Sequence, residues 1–147
     1  MRKSILLVED EPTDAQLLKR AMVRIDSEIH IELAEDGVEA VEKFGLDQGS
    51  EILRMEEPCC VILDLKMRRM DGFEVLKRLK ENGRWKHVPI IIFTSSSDPN
   101  DIRRAYDCGA NSYIVKPVKA VDLGEIARRI CEYWGKTNLT PSASGRR

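Results

Sequence analysis

The sequence predicts an α/β protein built on a single doubly wound, five-stranded parallel sheet, and three observations carry that prediction. Five short β-rich segments punctuate the chain: "SILLV" (4–8), "IHIELA" (29–34), "CCVILD" (59–64), "VPIIIFT" (88–94) and "SYIVK" (112–116). The first, third and fourth are nearly continuous apolar runs, as in strands buried on both faces of a parallel sheet. Between the segments the apolar spacing turns helical, so strands and helices alternate, and right-handed crossovers lay the helices on both faces.

Each helix carries local signals. Pro12 follows "VEDE", and a proline at the first helical position gives up only an N–H that no intrahelical bond uses. Leu18, Ala21, Met22 and Ile25 then mark one apolar face, and Phe73, Leu76 and Leu79 mark another after "MDG". Pro99 opens a helix running from about Asp98 to Cys108, with Gly109 as its left-handed cap. The last helix shows Leu123, Ile126, Ala127, Ile130, Cys131 and Trp134 at i, i+3, i+4 spacing. Two stretches stand outside the scheme: the polar extension "LDQGSEILRMEEP" (46–58) and "TNLTPSASGRR" (137–147), which reads as a mobile tail. Residues 1–136 then form one domain.

Composition narrows the function. The 147 residues, 42% of them hydrophobic, suffice for one core without disulfides or a structural metal. A net charge of -1 with interspersed signs gives no footprint for nucleic acid or an anionic membrane. The apolar run in "MRKSILLVEDE" is too short for a signal-peptide core or a membrane span, so a cytoplasmic location is expected. Cys59, Cys60, Cys108 and Cys131 lack metal-ligand spacing and read as reduced thiols. His30 and His87 are isolated and read as structural or surface groups, Trp85 and Trp134 as packing or interface groups, and Gly72 and Gly109 as turn and cap residues.

In open α/β sheets ligands bind outside the carboxyl ends of the strands. Here those ends carry Glu9 and Asp10, Asp64, Thr94 and Ser95, and Lys116 followed by Pro117. Any one of these has an ordinary explanation: acids favour a helix start, threonine favours strands, and an aspartate caps loops. Together, clustered carboxylates repel one another unless a cation relieves them, and Mg²⁺ is a hard cation commonly held by one or two carboxylates plus phosphate oxygens. A carboxylate beside such a cation can act as a nucleophile toward a phosphoryl group, and Asp64 is the candidate. The Lys116 ammonium and the Thr94 hydroxyl can share the charge on the equatorial oxygens.

The set "VEDEP", "ILDLKMRRMDG", "IIFTSS" and "YIVKP" resembles the receiver domain of two-component response regulators over about residues 3–134. Within that family, "SSSDPNDIRRAYDCGANSYIVKPV" is most similar to stand-alone regulators of the bacterial phytochrome-associated type. The resemblance implies a flavodoxin-like (β/α)5 fold with strand order 2-1-3-4-5. It implies Asp64 as acceptor of a phosphoryl group from a sensor histidine kinase, and Mg²⁺ on Glu9, Asp10, Asp64 and the backbone carbonyl of Lys66. Lys116 is implied to pair with the phosphoryl oxygens, with Thr94 and Tyr113 as switch residues, Lys66 and Ser96 tuning hydrolysis, and a cis Lys116–Pro117 peptide. Lys66 has two candidate partners, the phosphoryl group or Glu9. Output is implied through protein contact, including a homodimer, on the helix 4, strand 5, helix 5 face. Arg68 stands where the family commonly has proline, which bears on the rigidity of that loop.

Two other readings compete. A receiver-like binding module that works without phosphorylation usually lacks one of the site residues, and none is missing here. A haloacid dehalogenase-type phosphatase, an enzyme, needs a second acid two residues after its nucleophile, and here that position is Lys66. The favoured reading is a phosphoacceptor signalling protein that catalyses only its own phosphorylation and dephosphorylation.

Overall fold

The computed structural model describes residues 3–47 and 57–141. Its five parallel strands, β1 (Lys3–Val8), β2 (Ile29–Ala34), β3 (Cys60–Leu63), β4 (Ile90–Thr94) and β5 (Ser112–Val115), lie in the order β2-β1-β3-β4-β5. Five helices alternate with them: α1 (Pro12–Ile25), α2 (Gly37–Phe44), α3 (Gly72–Glu81), α4 (Pro99–Asp107) and α5 (Ala120–Glu132). The doubly wound sheet and its strand order are those expected from the sequence.

The two faces of the sheet bury separate cores, because alternate residues of a strand point to opposite sides. Leu6, Val8, Val61, Leu63, Ile90 and Ile92 face α2, α3 and α4, where Phe44, Leu76, Leu79 and Trp85 complete one cluster. Ile5, Leu7, Cys60, Ile62, Ile91 and Phe93 face α1 and α5, where Leu18, Met22, Ala127, Ile130 and Cys131 complete the other. Every residue of β3 and β4 is buried, which is why both read as unbroken apolar runs.

Element ends follow local chemistry. Pro12 and Pro99 sit at the first helical position of α1 and α4. Asp36, Asp71 and Asp98 cap α2, α3 and α4 with side-chain bonds to Glu39, Glu74 and Asn100 backbone N–H groups. Gly109 carries a φ of 107° just past α4, the left-handed position expected of it. Gly72 differs from its expected turn role: it is the first residue of α3, packed against the backbone of Asp64 and Leu65. The fourth strand is shorter than its apolar run, because Val88 is buried in the preceding turn, where its N–H bonds the Trp85 carbonyl.

Two expectations fall largely outside the described residues: most of the 46–58 extension, and the end of the 137–147 tail. Of their described parts, Leu46 is buried in the core, and Thr137 ends a π-helical turn, Tyr133–Thr137, that continues α5. Cys59, Cys60, Cys108 and Cys131 are free thiols. His30 pairs with Glu32 at 2.8 Å, Trp85 packs near Phe44 in the core, and Trp134 meets Tyr133 edge to face at 4.8 Å.

Candidate functional site

The sheet register brings the predicted strand-end residues together. β3 lies between β1 and β4, with Leu63 opposite both Val8 and Ile92. The ladder continues past the regular strands: the Asp64 N–H bonds the Val8 carbonyl at 3.1 Å, the Glu9 N–H the Ala34 carbonyl at 3.0 Å, and the Lys116 N–H the Thr94 carbonyl at 2.7 Å. Among the described residues, Glu9, Asp64 and Thr94 are the buried polar ones, and each sits at the carboxyl end of an apolar strand.

One ammonium holds three carboxylates. Lys116 Nζ lies 2.8 Å from Glu9 Oε1, 2.9 Å from Asp14 Oδ2 and 3.0 Å from Asp64 Oδ2. Burial works against the charge on Lys116, but its bonds to Glu9 and Asp14 outweigh that and hold it protonated more firmly than an ordinary lysine. Burial pushes Glu9 up to about 7; the charge of Asp64 adds to this, and the bond from Lys116 opposes it. Asp14 was not among the predicted site residues. An acid in the first turn of a helix has an ordinary dipole explanation, so only the fold reveals its contact with Lys116.

The residues present fit a hard divalent cation. Glu9, Asp10 and Asp64 each offer a carboxylate oxygen, and those oxygens lie within 4.8 Å of one another. Asp64 uses Oδ2 on Lys116, while its Oδ1 is buried without a hydrogen-bond partner. A buried carboxylate oxygen left unpaired is costly, and a coordinating cation is one remedy. Among the described residues, this all-oxygen trio is the one acidic cluster arranged in this way.

The other predicted residues divide. Thr94 is at the edge, 1% exposed. Tyr113 donates its hydroxyl to the Ser96 carbonyl at 2.9 Å, and Ser96 Oγ bonds Asp101 Oδ2 at 2.6 Å. Of its two candidate partners Lys66 does not meet Glu9: its ammonium lies 3.8 Å from Asp101 in the first turn of α4. The Lys116–Pro117 peptide is trans, as are all peptide bonds among the described residues, which corrects the expected cis isomer. Trans remains the lower-energy form before proline by about 0.5–1 kcal/mol, and the Lys116 side chain reaches the carboxylates from it.

Residues 5–128 match the response regulator receiver domain. The chain belongs to the response regulator receiver family. It is 37% identical over 137 residues to the probable methanogenesis regulatory protein FilR2 of Methanothrix harundinacea, covering 93% of this chain and 86% of that protein. It is 30% identical over 141 residues to response regulator Rcp1 of Synechocystis sp., covering 96% and 95%. A Mn²⁺-bound form of response regulator Rcp1 matches with a TM-score of 0.82 and 28% identity, over 95% of this chain and 99% of that one. The phosphorylated cyanobacterial phytochrome response regulator RcpA matches with a TM-score of 0.86 and 31% identity, over 96% and 99%. The chain is therefore a receiver similar along nearly its whole length to phytochrome response regulators. No helix among its described residues is long and apolar enough to cross a membrane.

Proposed function

We propose that Asp64 is the phosphoacceptor of this receiver and that Glu9, Asp10, Asp64 and the Lys66 carbonyl hold Mg²⁺ during the transfer. The observation that carries this reading is the split environment of the Asp64 carboxylate: Oδ2 is fixed by Lys116, while Oδ1 is buried and unpaired. In the transfer, the bond from phosphorus to the donor's histidine nitrogen breaks and a bond from phosphorus to an Asp64 oxygen forms. A cation held by these residues would supply charge neutralisation at the phosphoryl oxygens. Lys116, already positioned at Asp64, pairs with one of those oxygens, and the Thr94 hydroxyl takes another.

The donor is a sensor histidine kinase, and the similarity to RcpA and Rcp1 favours one of the phytochrome type. Movement of Thr94 toward the phosphoryl group then draws Tyr113 from its bond to Ser96. Output passes through the face of α4, β5 and α5 to a downstream protein or a second copy. Tyr106, Val115 and Val121 lie exposed on these three elements, as that role requires. The receiver comprises residues 1–136, with 137–147 as its tail, and works in the cytoplasm without nucleic acid or membrane as a partner.

The test is the chemical identity of the adduct. After incubation with acetyl phosphate and Mg²⁺, hydroxylamine should remove the phosphoryl group and leave a hydroxamate on the peptide containing Asp64, as an acyl phosphate requires. A phosphate that survives hydroxylamine, or that maps to another side chain, would overturn the assignment.

A further inference from the structure

The turn between β3 and α3 supplies Asp64 at its start and Lys66 two positions on, and its backbone contains one anomaly. Arg69 has a φ of 66°, the one positive φ at a non-glycine among the described residues. A bulky side chain seldom occupies the left-handed region unless its surroundings compensate, and such outliers cluster at functional sites.

Arg69 is compensated by a fork on Asp36. Its Nε donates to Oδ2 at 2.8 Å and its Nη2 to Oδ1 at 2.9 Å. A guanidinium bound to a carboxylate through two nitrogens fixes direction as well as distance. Asp36 is itself fixed, since Oδ1 also accepts the Glu39 N–H at 2.8 Å as the cap of α2. Next to it, Gly37 gives the loop room: a Cβ there would overlap the Met70 carbonyl oxygen and lie 2.7 Å from Met70 Cβ. The far end is closed by the Gly72 N–H, which bonds the Leu65 carbonyl at 2.7 Å.

Between these ties, the backbone N–H of Arg68 donates to Asp10 Oδ2 at 3.0 Å. A proline at this position, which the family resemblance implies, has no N–H and could not make that bond. This chain therefore trades a stiff ring for a donor, and the stiffness must come from elsewhere.

We infer that the Arg69–Asp36 fork is a positioning clamp that holds the β3–α3 turn so that the Arg68 N–H fixes Asp10 for the divalent cation. Arg69 binds Asp36, outside the acidic trio, and acts through Arg68 and Asp10. The inference rests on the cation-site reading above for its purpose, but the tie between Arg69 and the Arg68 N–H stands on the metal-free geometry alone.

The test uses the full chain as wild type, Arg69→Gly, Asp36→Asn and the double variant. Glycine accepts a positive φ and asparagine still caps a helix, so both singles keep the backbone while losing the fork. Two quantities are read: exchange of the Arg68 amide by NMR without metal, and Mn²⁺ binding from the free-ion EPR signal. Each single is expected to speed Arg68 exchange and to weaken Mn²⁺ by roughly tenfold, the lower end for losing a group that orients a ligand. The double variant should be no worse than either single, since both remove one interaction. Arg68 exchange that stays at the wild-type rate in Arg69→Gly overturns the clamp, whatever Mn²⁺ does. Faster exchange with unchanged Mn²⁺ affinity overturns its service to the cation. If wild type itself takes up no Mn²⁺, the cation-site reading fails, and the exchange rates alone still decide whether the clamp exists.

Discussion

The ammonium of Lys116 lies 3.0 Å from Oδ2 of Asp64, a contact between residues 52 positions apart that exists because β5 and β3 both flank β4. That one cation offsets a cluster of buried acid. The Lys116, Glu9 and Asp64 side chains are only 13%, 2% and 8% exposed. Lys116→Met leaves Glu9 and Asp64 facing each other without a counter-charge and should cost about 3–5 kcal/mol of metal-free stability near neutral pH. Urea unfolding of the variant and wild type checks this. The loss should shrink as the pH falls through 7, where Glu9 takes up a proton.

The position of Glu9 gives a second pH signature. Its value of about 7 in the folded chain stands above the 4.5 of an unperturbed glutamate. The fold therefore favours the protonated form, and that contribution is complete below 4.5 and lost as the pH rises through 7. Metal-free wild type should lose stability across this window, and Glu9→Gln should flatten the profile. Coordination needs the carboxylate, so divalent binding below 7 should expel a proton, visible by calorimetry in buffers of different ionisation enthalpy.

Gly72 tests the packing beneath the acceptor. A Cβ there would overlap the Asp64 carbonyl oxygen and lie 2.6 Å from Leu65 Cα, both rigid backbone atoms. Gly72→Ala should therefore destabilise by at least the ~1–3 kcal/mol typical of overpacking and displace Asp64. Gly83→Ala is the control, since a Cβ at Gly83 meets nothing within 4 Å. Thermal melts of the two variants should diverge sharply.

Tyr113→Phe removes the bond from the tyrosine hydroxyl to the Ser96 carbonyl. The expected cost to the unphosphorylated chain is about 1 kcal/mol, the usual net worth of one such bond. Phosphorylation should cost less in the variant, because no Ser96 contact needs to break, and adduct formation from acetyl phosphate should be at least as fast as in wild type. A slower variant would argue against a resting-state latch.

Much of this was legible in the sequence, for reasons particular residues make clear. β3 and β4 are buried on both faces, so "CVIL" and "IIIF" had to be apolar throughout, and the polar residues that follow them, Asp64 and Thr94, stood out. Pro12 and Pro99 marked helix starts because only there is a missing N–H harmless. Contacts made across the fold were not legible. Asp14 meets Lys116 over a separation of 102 residues and Arg69 meets Asp36 over 33, and each residue has a sufficient local explanation in the linear chain. Gly72 looked like a turn residue because close approach to the Asp64 backbone leaves no mark in sequence beyond the glycine itself. Lys66 sits 3.8 Å from Asp101 in the first turn of α4, a neighbour that its place in the linear chain does not show.

Phosphorylation of Asp64 through a cation-dependent site predicts a specific pattern of intact masses after incubation with acetyl phosphate. Wild type should gain a single phosphoryl group with Mg²⁺ and none with excess chelator, and Asp64→Asn should gain none under either condition. An adduct of equal yield in Asp64→Asn would rule out Asp64 as the acceptor, and one indifferent to the chelator would rule out the cation.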